Sequence, residues 1–176
     1  MDLTLYYQGN MCNAYECFGA HIVEDGVVFR TYAPHARSIH VIGEFNDWCE
    51  NEESKMKRID KRGVFELFVK NAKKGQQYKF RIKQAIGNVV DKADPYAFAS
   101  QLRPNNASII EDIHDYTFDD EKWMQTRTRC FDKAMNIYEI HLGAWKRKNN
   151  NWAKYEEMAD DLVAYCKKMN YTHVEF

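Results

Sequence analysis

Residues 78–83 read Tyr-Lys-Phe-Arg-Ile-Lys, which puts three apolar side chains on one face of an extended chain and three cations on the other. Successive side chains of a β-strand point to opposite faces, so this run predicts a strand with one buried and one solvated side. Similar short runs precede it at residues 26–32, 38–43 and 64–69. Because no helical period separates these runs, they predict an antiparallel β-sandwich.

The turn after this run is also marked in the sequence. Gly87–Asn88 stands between the apolar pairs Ala85–Ile86 and Val89–Val90. A glycine-containing dipeptide between two strand-like runs predicts a hairpin with a two-residue turn.

The hydrophobic period changes toward the C-terminus. Residues 136–141 predict a strand, and apolar residues from Tyr155 to Met169 recur at steps of three and four, as in an amphipathic helix. Residues 171–176 predict another strand, so the order is that of a parallel βαβ unit. A lone βαβ unit cannot bury its apolar faces, and we therefore expect self-association through this C-terminal part.

These patterns divide the chain into four parts and make it mainly β. Residues 1–20 are an extended N-terminal lead-in, 21–112 the sandwich, 113–135 a connecting segment and 136–176 the βαβ unit.

Composition excludes several classes of protein. The chain of 176 residues has 25 Lys and Arg against 26 Asp and Glu, which argues against a partner that is nucleic acid or a membrane surface. No apolar run approaches the ~20 residues that span a bilayer, and the first residues lack the features of a signal peptide. Five irregularly spaced cysteines indicate reduced thiols and a cytoplasmic protein.

Motifs for self-contained chemistry are missing. The sequence has no phosphate-binding glycine motif and no nucleophile elbow. Its six histidines are scattered, and Cys12 and Cys17 have no second pair at ligand spacing, so we predict no metal site and no cofactor. The aromatic share of 14% suits a β core, a sugar-binding face, or both.

Gly43–Trp48, which reads Gly-Glu-Phe-Asn-Asp-Trp, resembles the G-x-F-N-x-W signature of family-48 carbohydrate-binding modules. Three flanking segments agree in order: Tyr32–Pro34 with the family's W/Y-A-P, Gln77–Phe80 with its Y-K-F strand, and Asp91–Ala97 with the K-A-D-P-Y-A of modules attached to branching enzymes. The resemblance implies an immunoglobulin-like sandwich.

Ile137–Arg147 is similar to the Y-E-x-H-x-G-S-W-x-R of glucan branching enzymes, where it forms the first barrel strand and the following loop. Ala144 stands at the usual serine, and Trp145 favours branching enzymes over debranching and trehalose-releasing relatives. Tyr171–Glu175 resembles the second barrel strand. The resemblance implies the N-terminal part of a 1,4-α-glucan branching enzyme of glycogen synthesis, ending in the start of a (β/α)8 barrel.

The resemblance also implies which groups lie elsewhere. Branching enzymes use an aspartate nucleophile and a glutamate acid/base in a retaining double displacement. Both carboxylates would lie beyond Phe176, so we predict no catalytic residue in this chain and no catalysis by it alone.

The carbohydrate-binding residues that the resemblance implies are Trp48, Lys79, Asn105 and Asn106, by comparison with the glycogen-binding module of the AMP-activated kinase β subunit. Trp48 offers a flat face for the C–H side of a glucose ring, and the alternation of its strand points Lys79 away from the core. The structural alternatives are edge packing for Trp48, a solvated strand face for Lys79 and a loop turn for the asparagines. That kinase module has a second tryptophan near the hairpin, where this chain has Val89–Val90.

The expected partners are α-glucan (glycogen or starch-like chains) and the remainder of the catalytic barrel. Two other functions stay open. The first alternative is a free-standing glycogen-targeting module or regulatory subunit. The second is a module that binds no sugar and only braces a neighbouring domain.

Overall fold

A computed structural model of the protein describes residues 2–129 and 131–176, and it divides into two compact units. The first ends at Phe118 and the second spans Asp119–Phe176. None of the helices within the described ranges is long and apolar enough to cross a membrane.

The first unit contains two antiparallel sheets. Its strands are β1 (Gly19–Val23), β2 (Gly26–Tyr32), β3 (Ala36–Gly43), β4 (Lys57–Arg58), β5 (Val64–Lys70), β6 (Gln77–Gln84), β7 (Val89–Lys92), β8 (Ala99–Ser100) and β9 (Ser108–Ile109). The first sheet has the order β1-β2-β5-β4 and the second β3-β6-β9-β8, with β7 also paired to β6. This mainly β, sandwich-type architecture confirms the predicted fold class.

The core consists of the inward-facing residues of both sheets. Phe29 of β2 is fully buried, and its ring centroid lies 4.9 Å from that of Tyr78 in β6. Phe80 is buried two residues further along β6, whereas the intervening Lys79 is only half-buried. The alternation seen in residues 78–83 therefore separates a core face from an outer face, as predicted.

The predicted strands agree with the observed ones, but the predicted turn is too short. β6 and β7 are joined by four residues, 85–88, and the Gln84 N–H donates to the Asn88 carbonyl at 2.8 Å. The ladder ends where Lys83 pairs with Val89. Ile86 is 80% exposed, so burial of its side chain does not favour an extension of the ladder to this residue. The prediction of a two-residue turn at Gly87–Asn88 is therefore wrong.

The residues before β1 pack on the sandwich. They form a helical turn, α1 (Thr4–Tyr7), and a 3-10 turn at Ala14–Glu16. Leu3 and Phe18 are buried in a cluster with Val64 of β5. Hydrophobic contacts with the sandwich therefore hold this segment.

The second unit contains the predicted parallel pair. Its elements are α2 (Glu121–Thr126), β10 (Ile137–Glu139), α3 (Leu142–Trp145), β11 (Arg147–Lys148), β12 (Asn151–Trp152), α4 (Tyr155–Lys168) and β13 (His173–Glu175). β10 and β13 pair in parallel, which confirms the βαβ order. Ile140, Leu162 and Cys166 form a small buried cluster between this pair and α4.

Candidate functional site

The four predicted binding residues lie on three segments of the second sheet and its loops. Trp48 follows the end of β3, Lys79 is near the start of β6, and Asn105–Asn106 belong to the loop that joins β8 to β9. Gly43 at the end of β3 pairs with Tyr78, and Gln77 pairs with Ile109 of β9. The strand register therefore places the end of β3 and the start of β9, which border the tryptophan and asparagine loops, on either side of the start of β6.

The loop that carries Trp48 is fixed by the side chain of Asn46. Its Oδ1 accepts from the Gly43 N–H at 2.9 Å, and its Nδ2 donates to the Val41 carbonyl at 2.9 Å. The Trp48 N–H donates to the Gly43 carbonyl at 2.9 Å. Asp47 and Trp48 have φ values of +51° and +59°, so the chain turns back sharply here. The Trp48 side chain is half-buried, which leaves part of its surface open to solvent.

Gly43 explains why the motif begins with glycine. A Cβ at this position would lie 2.4 Å from the Gln77 carbonyl oxygen, closer than any side chain can approach. The glycine therefore allows β3 to end directly against the start of β6, beside the loop of Trp48.

Lys79 lies on the outer face of β6, next to a charged cross-strand pair. Arg81 donates two hydrogen bonds to the Asp91 carboxylate, both at 2.8 Å, and these hold the pKa of Asp91 below its usual value. Within residues 2–129 and 131–176, Lys79 takes part in no ion pair. Its ammonium group therefore keeps its donors for a ligand or for water.

The loop of Asn105 and Asn106 is closed across its base. The Gln101 N–H donates to the Ala107 carbonyl at 2.9 Å, and the Ala107 N–H donates to the Gln101 side-chain Oε1 at 3.1 Å. Both asparagines are exposed. Their amides can therefore donate to and accept from the hydroxyls of a ligand.

The opposite end of β6 offers no second aromatic platform. Val89 is 56% exposed and pairs with Lys83, four residues along the strand from Lys79. The stacking surface of the candidate site therefore rests on Trp48.

A buried polar network supports the same sheet from within. The Tyr78 hydroxyl donates to Asp94 at 2.6 Å, the Tyr96 N–H donates to the same carboxylate at 2.8 Å, and the Asp94 N–H donates to Ser108 Oγ at 2.8 Å. Burial raises the pKa of Asp94. Because every member of this network is satisfied inside the sandwich, we assign it to stability rather than to a ligand.

Two residues that hydrogen-bond to Gln77 beside the site, Glu44 and Gln101, carry no sequence signal of their own. Glu44 occupies the variable position of the Gly43–Trp48 motif, and Gln101 lies in an unpatterned loop. Sequence reasoning missed both. In the part of the chain that the structure describes, no three metal-ligating side chains cluster. The site's chemistry is an indole face, an ammonium group and two amides, which suits stacking and hydroxyl recognition.

Comparison with known proteins relates the sequence to one family of modules and one group of enzymes. Residues 17–97 match carbohydrate-binding module 48 (Isoamylase N-terminal domain). A 1,4-alpha-glucan branching enzyme of Clostridium perfringens strain 13 is 45% identical across 100% of this chain, and one of Fusobacterium nucleatum is 42% identical across 99%. The chain spans 28% and 29% of these two relatives.

Solved structures show the same fold. Klebsiella pneumoniae pullulanase, complexed with maltotriose, matches 89% of this chain and 17% of its own with a TM-score of 0.63 at 21% identity. The match thus extends beyond the sandwich into the second unit. The chain carries a family-48 carbohydrate-binding module and is homologous, along its whole length, to the N-terminal part of 1,4-α-glucan branching enzymes.

Proposed function

We propose that this chain serves a 1,4-α-glucan branching enzyme by binding α-glucan through its module. The reaction of the whole enzyme cleaves an α-1,4 link and transfers the chain to a 6-hydroxyl, forming the α-1,6 branches of glycogen. Its retaining double displacement needs two carboxylates, which we assign to the part of the enzyme outside this sequence. The observation that carries this proposal is the 45% sequence identity to a 1,4-alpha-glucan branching enzyme across the whole chain.

That similarity disfavours a free-standing glycogen-targeting module. Such a protein needs only the sandwich, whereas the match to branching enzymes includes the βαβ unit of β10, α4 and β13. We propose that residues 21–112 are the module, joined by 113–135 to the first β-α-β of the catalytic barrel at 136–176. We also propose a cytoplasmic location, because glycogen and its synthesis belong to that compartment.

Within the module, Trp48 stacks on the C–H face of a glucose ring, Lys79 donates to a hydroxyl, and Asn105 and Asn106 hydrogen-bond to neighbouring hydroxyls. The half-burial of Trp48 supports this role, since a partly covered indole is held in place while it keeps a free surface. The single platform predicts weak binding to one short stretch of glucan.

Electrophoresis in gels with and without glycogen tests the proposal. The unmodified chain should be retarded by glycogen, and Trp48→Ala should remove the retardation. Trp152→Ala is the matched control, because Trp152 is 76% exposed and lies on the β11–β12 hairpin of the second unit. Equal mobility of all three proteins in both gels would overturn glucan binding. It would favour a module that only braces the barrel, a function consistent with the valines at positions 89 and 90.

We further propose that the apolar surface of the second unit is covered by the remainder of the barrel or, in the isolated chain, by a second copy. Tyr155 and Phe176 are each 75% exposed. Exposed apolar groups of this kind favour association. Light scattering should show dimers or larger species whose share rises with concentration and falls in Tyr155→Ser/Phe176→Ser. A strictly monomeric chain at high concentration would contradict self-association.

A further inference from the structure

We infer that Gln101 is a positioning residue, which ties the loop of Asn105 and Asn106 to the loop of Trp48. This inference rests on the proposed function, since it concerns how the glucan-binding residues are held. It assigns a role to a side chain that no motif marks and that need not touch the sugar itself.

Gln101 closes the base of the asparagine loop. The Gln101 backbone N–H and side-chain Oε1 both bond to Ala107, at 2.9 and 3.1 Å. One residue therefore closes the loop through its main chain and its side chain together. Removing the side chain therefore weakens this closure without opening it, because the backbone hydrogen bond remains.

Gln101 also connects this loop to β6. The same Gln101 side chain donates through Nε2 to the Gln77 Oε1. Gln101 and Gln77 are both half-buried, so this hydrogen bond is partly shielded from competing water. The side chain of Gln101 thus accepts one hydrogen bond from Ala107 and donates another to Gln77.

Gln77 in turn connects β6 to the loop of Trp48. The Gln77 backbone N–H donates to the Glu44 carboxylate at 2.7 Å. Glu44 begins the 3-10 turn Glu44–Asn46 that delivers the chain to Trp48. Hydrogen bonds therefore connect the asparagine loop, the start of β6 and the tryptophan loop in one continuous chain.

The strand pairing in this region is short, which makes the side-chain bonds important. β8 and β9 each contain two residues, and β9 pairs with β6 at Gln77 and Tyr78. Two further backbone hydrogen bonds join Ile110 to Gly75 and Gln76, on the side away from the asparagine loop. A binding loop gains affinity when its bound conformation already exists in the free protein. Loss of the Gln101 bonds should therefore free the asparagines and reduce their contribution to binding.

Binding of maltoheptaose, measured by titration calorimetry, tests the inference. Gln101→Ala should bind about fivefold more weakly, the loss expected for one net hydrogen bond. Its affinity should match that of Asn105→Ala/Asn106→Ala. The triple variant should bind no more weakly than that double variant, since both changes remove the same contribution of the asparagines to binding. Gln84→Ala, the same change at the other end of β6, should leave affinity unchanged.

Gln101→Glu supplies a conservative rescue. Its carboxylate still accepts from the Ala107 N–H, and a rotated Gln77 amide can donate to its other oxygen, so affinity should stay within about twofold of the unmodified chain. Equal affinity of Gln101→Ala and the unmodified chain would overturn the inference. Additive losses in the triple variant would also overturn it.

A measurement without sugar separates this inference from the proposed function. In 15N spectra of the free protein, Gln101→Ala should shift the backbone signals of residues 105–106 and also of residues 44–48, whereas Gln84→Ala should not. Unchanged signals at residues 44–48 would overturn the coupling. If the unmodified chain and Trp48→Ala both fail to bind glucan while these shifts appear, the glucan-binding proposal fails and the coupling between the loops stands.

Discussion

The two units of this chain bury their apolar surface to very different extents. In the first unit two sheets face each other, and Phe29, Tyr78 and Phe80 are almost fully buried between them. In the second unit one helix covers one parallel strand pair, and Trp152, Tyr155 and Phe176 remain at least 75% exposed. A sandwich can complete its own core, whereas a single βαβ unit needs neighbours to do so. The difference predicts that the units respond differently to the same kind of substitution.

Removing a ring from the sandwich core should have the largest effect. Phe29→Ala should lower the free energy of unfolding by about 4 kcal/mol, from lost burial and the cavity left behind. Urea unfolding followed by circular dichroism measures this change. Phe131→Ala is the matched control, because Phe131 is 95% exposed and its loss should change stability by less than about 0.5 kcal/mol. Similar losses for the two variants would remove the contrast between the units.

The buried network of the first unit should give the next largest effect. Asp94→Ala leaves the Tyr78 hydroxyl and the Tyr96 N–H without their partner, at a cost of about 3 kcal/mol in unfolding free energy. Asp94→Asn keeps an acceptor for Tyr96 and should retain most of that stability. Urea midpoints that agree between the alanine variant and the unmodified chain would contradict the importance of this network.

The same aspartate gives a pH dependence with a definite sign. Burial raises the pKa of Asp94 above its ordinary 3.8, so the folded state holds this proton to higher pH than the unfolded state does. Its contribution to stability therefore falls as pH rises from about 3.8 through the raised folded pKa, and Asp94→Asn should remove that fall. Asp91 acts in the opposite sense, because its hydrogen bonds with Arg81 lower its pKa. Its contribution to stability is lost as pH falls from the ordinary pKa of an aspartate through the lowered pKa of the folded state. Unfolding free energies between pH 3 and 7 distinguish the two.

A change in the small core of the second unit should have a smaller and local effect. Leu162→Ala removes a buried side chain of α4 and should reduce stability there by about 2 kcal/mol. Hydrogen exchange should quicken in α4 while β2 and β6 keep their protection. Val163→Ala, at the neighbouring position that is 51% exposed, should change neither. Loss of protection in β6 of the Leu162 variant would mean that the two units unfold together.

Much of this fold follows from hydrophobic period. Residues 26–32 coincide with β2, and the stripe from Tyr155 to Met169 matches α4 to within one residue. The segment before β1 has no period, because Leu3 and Phe18 are buried by contact with Val64 rather than by a repeating pattern of their own. Period alone could not place that segment.

The candidate site divides in the same way. Trp48 follows from a contiguous motif and Lys79 from strand alternation. Glu44 and Gln101 act through bonds to Gln77, which is 33 and 24 residues away from them in sequence. Since strand register creates those bonds, local sequence carries no trace of them.

The backbone conformation at Trp48 is unfavourable for a residue with a side chain. At a φ of +59°, an L-residue is less favourable than glycine by about 1 kcal/mol, so glycine should be more stable here than alanine, the reverse of their order in a helix or strand. Comparison of Trp48→Gly with Trp48→Ala in urea would measure this difference, and a more stable alanine variant would contradict it. The loop is therefore less stable than it would be with glycine at position 48, and it carries an indole side chain there instead.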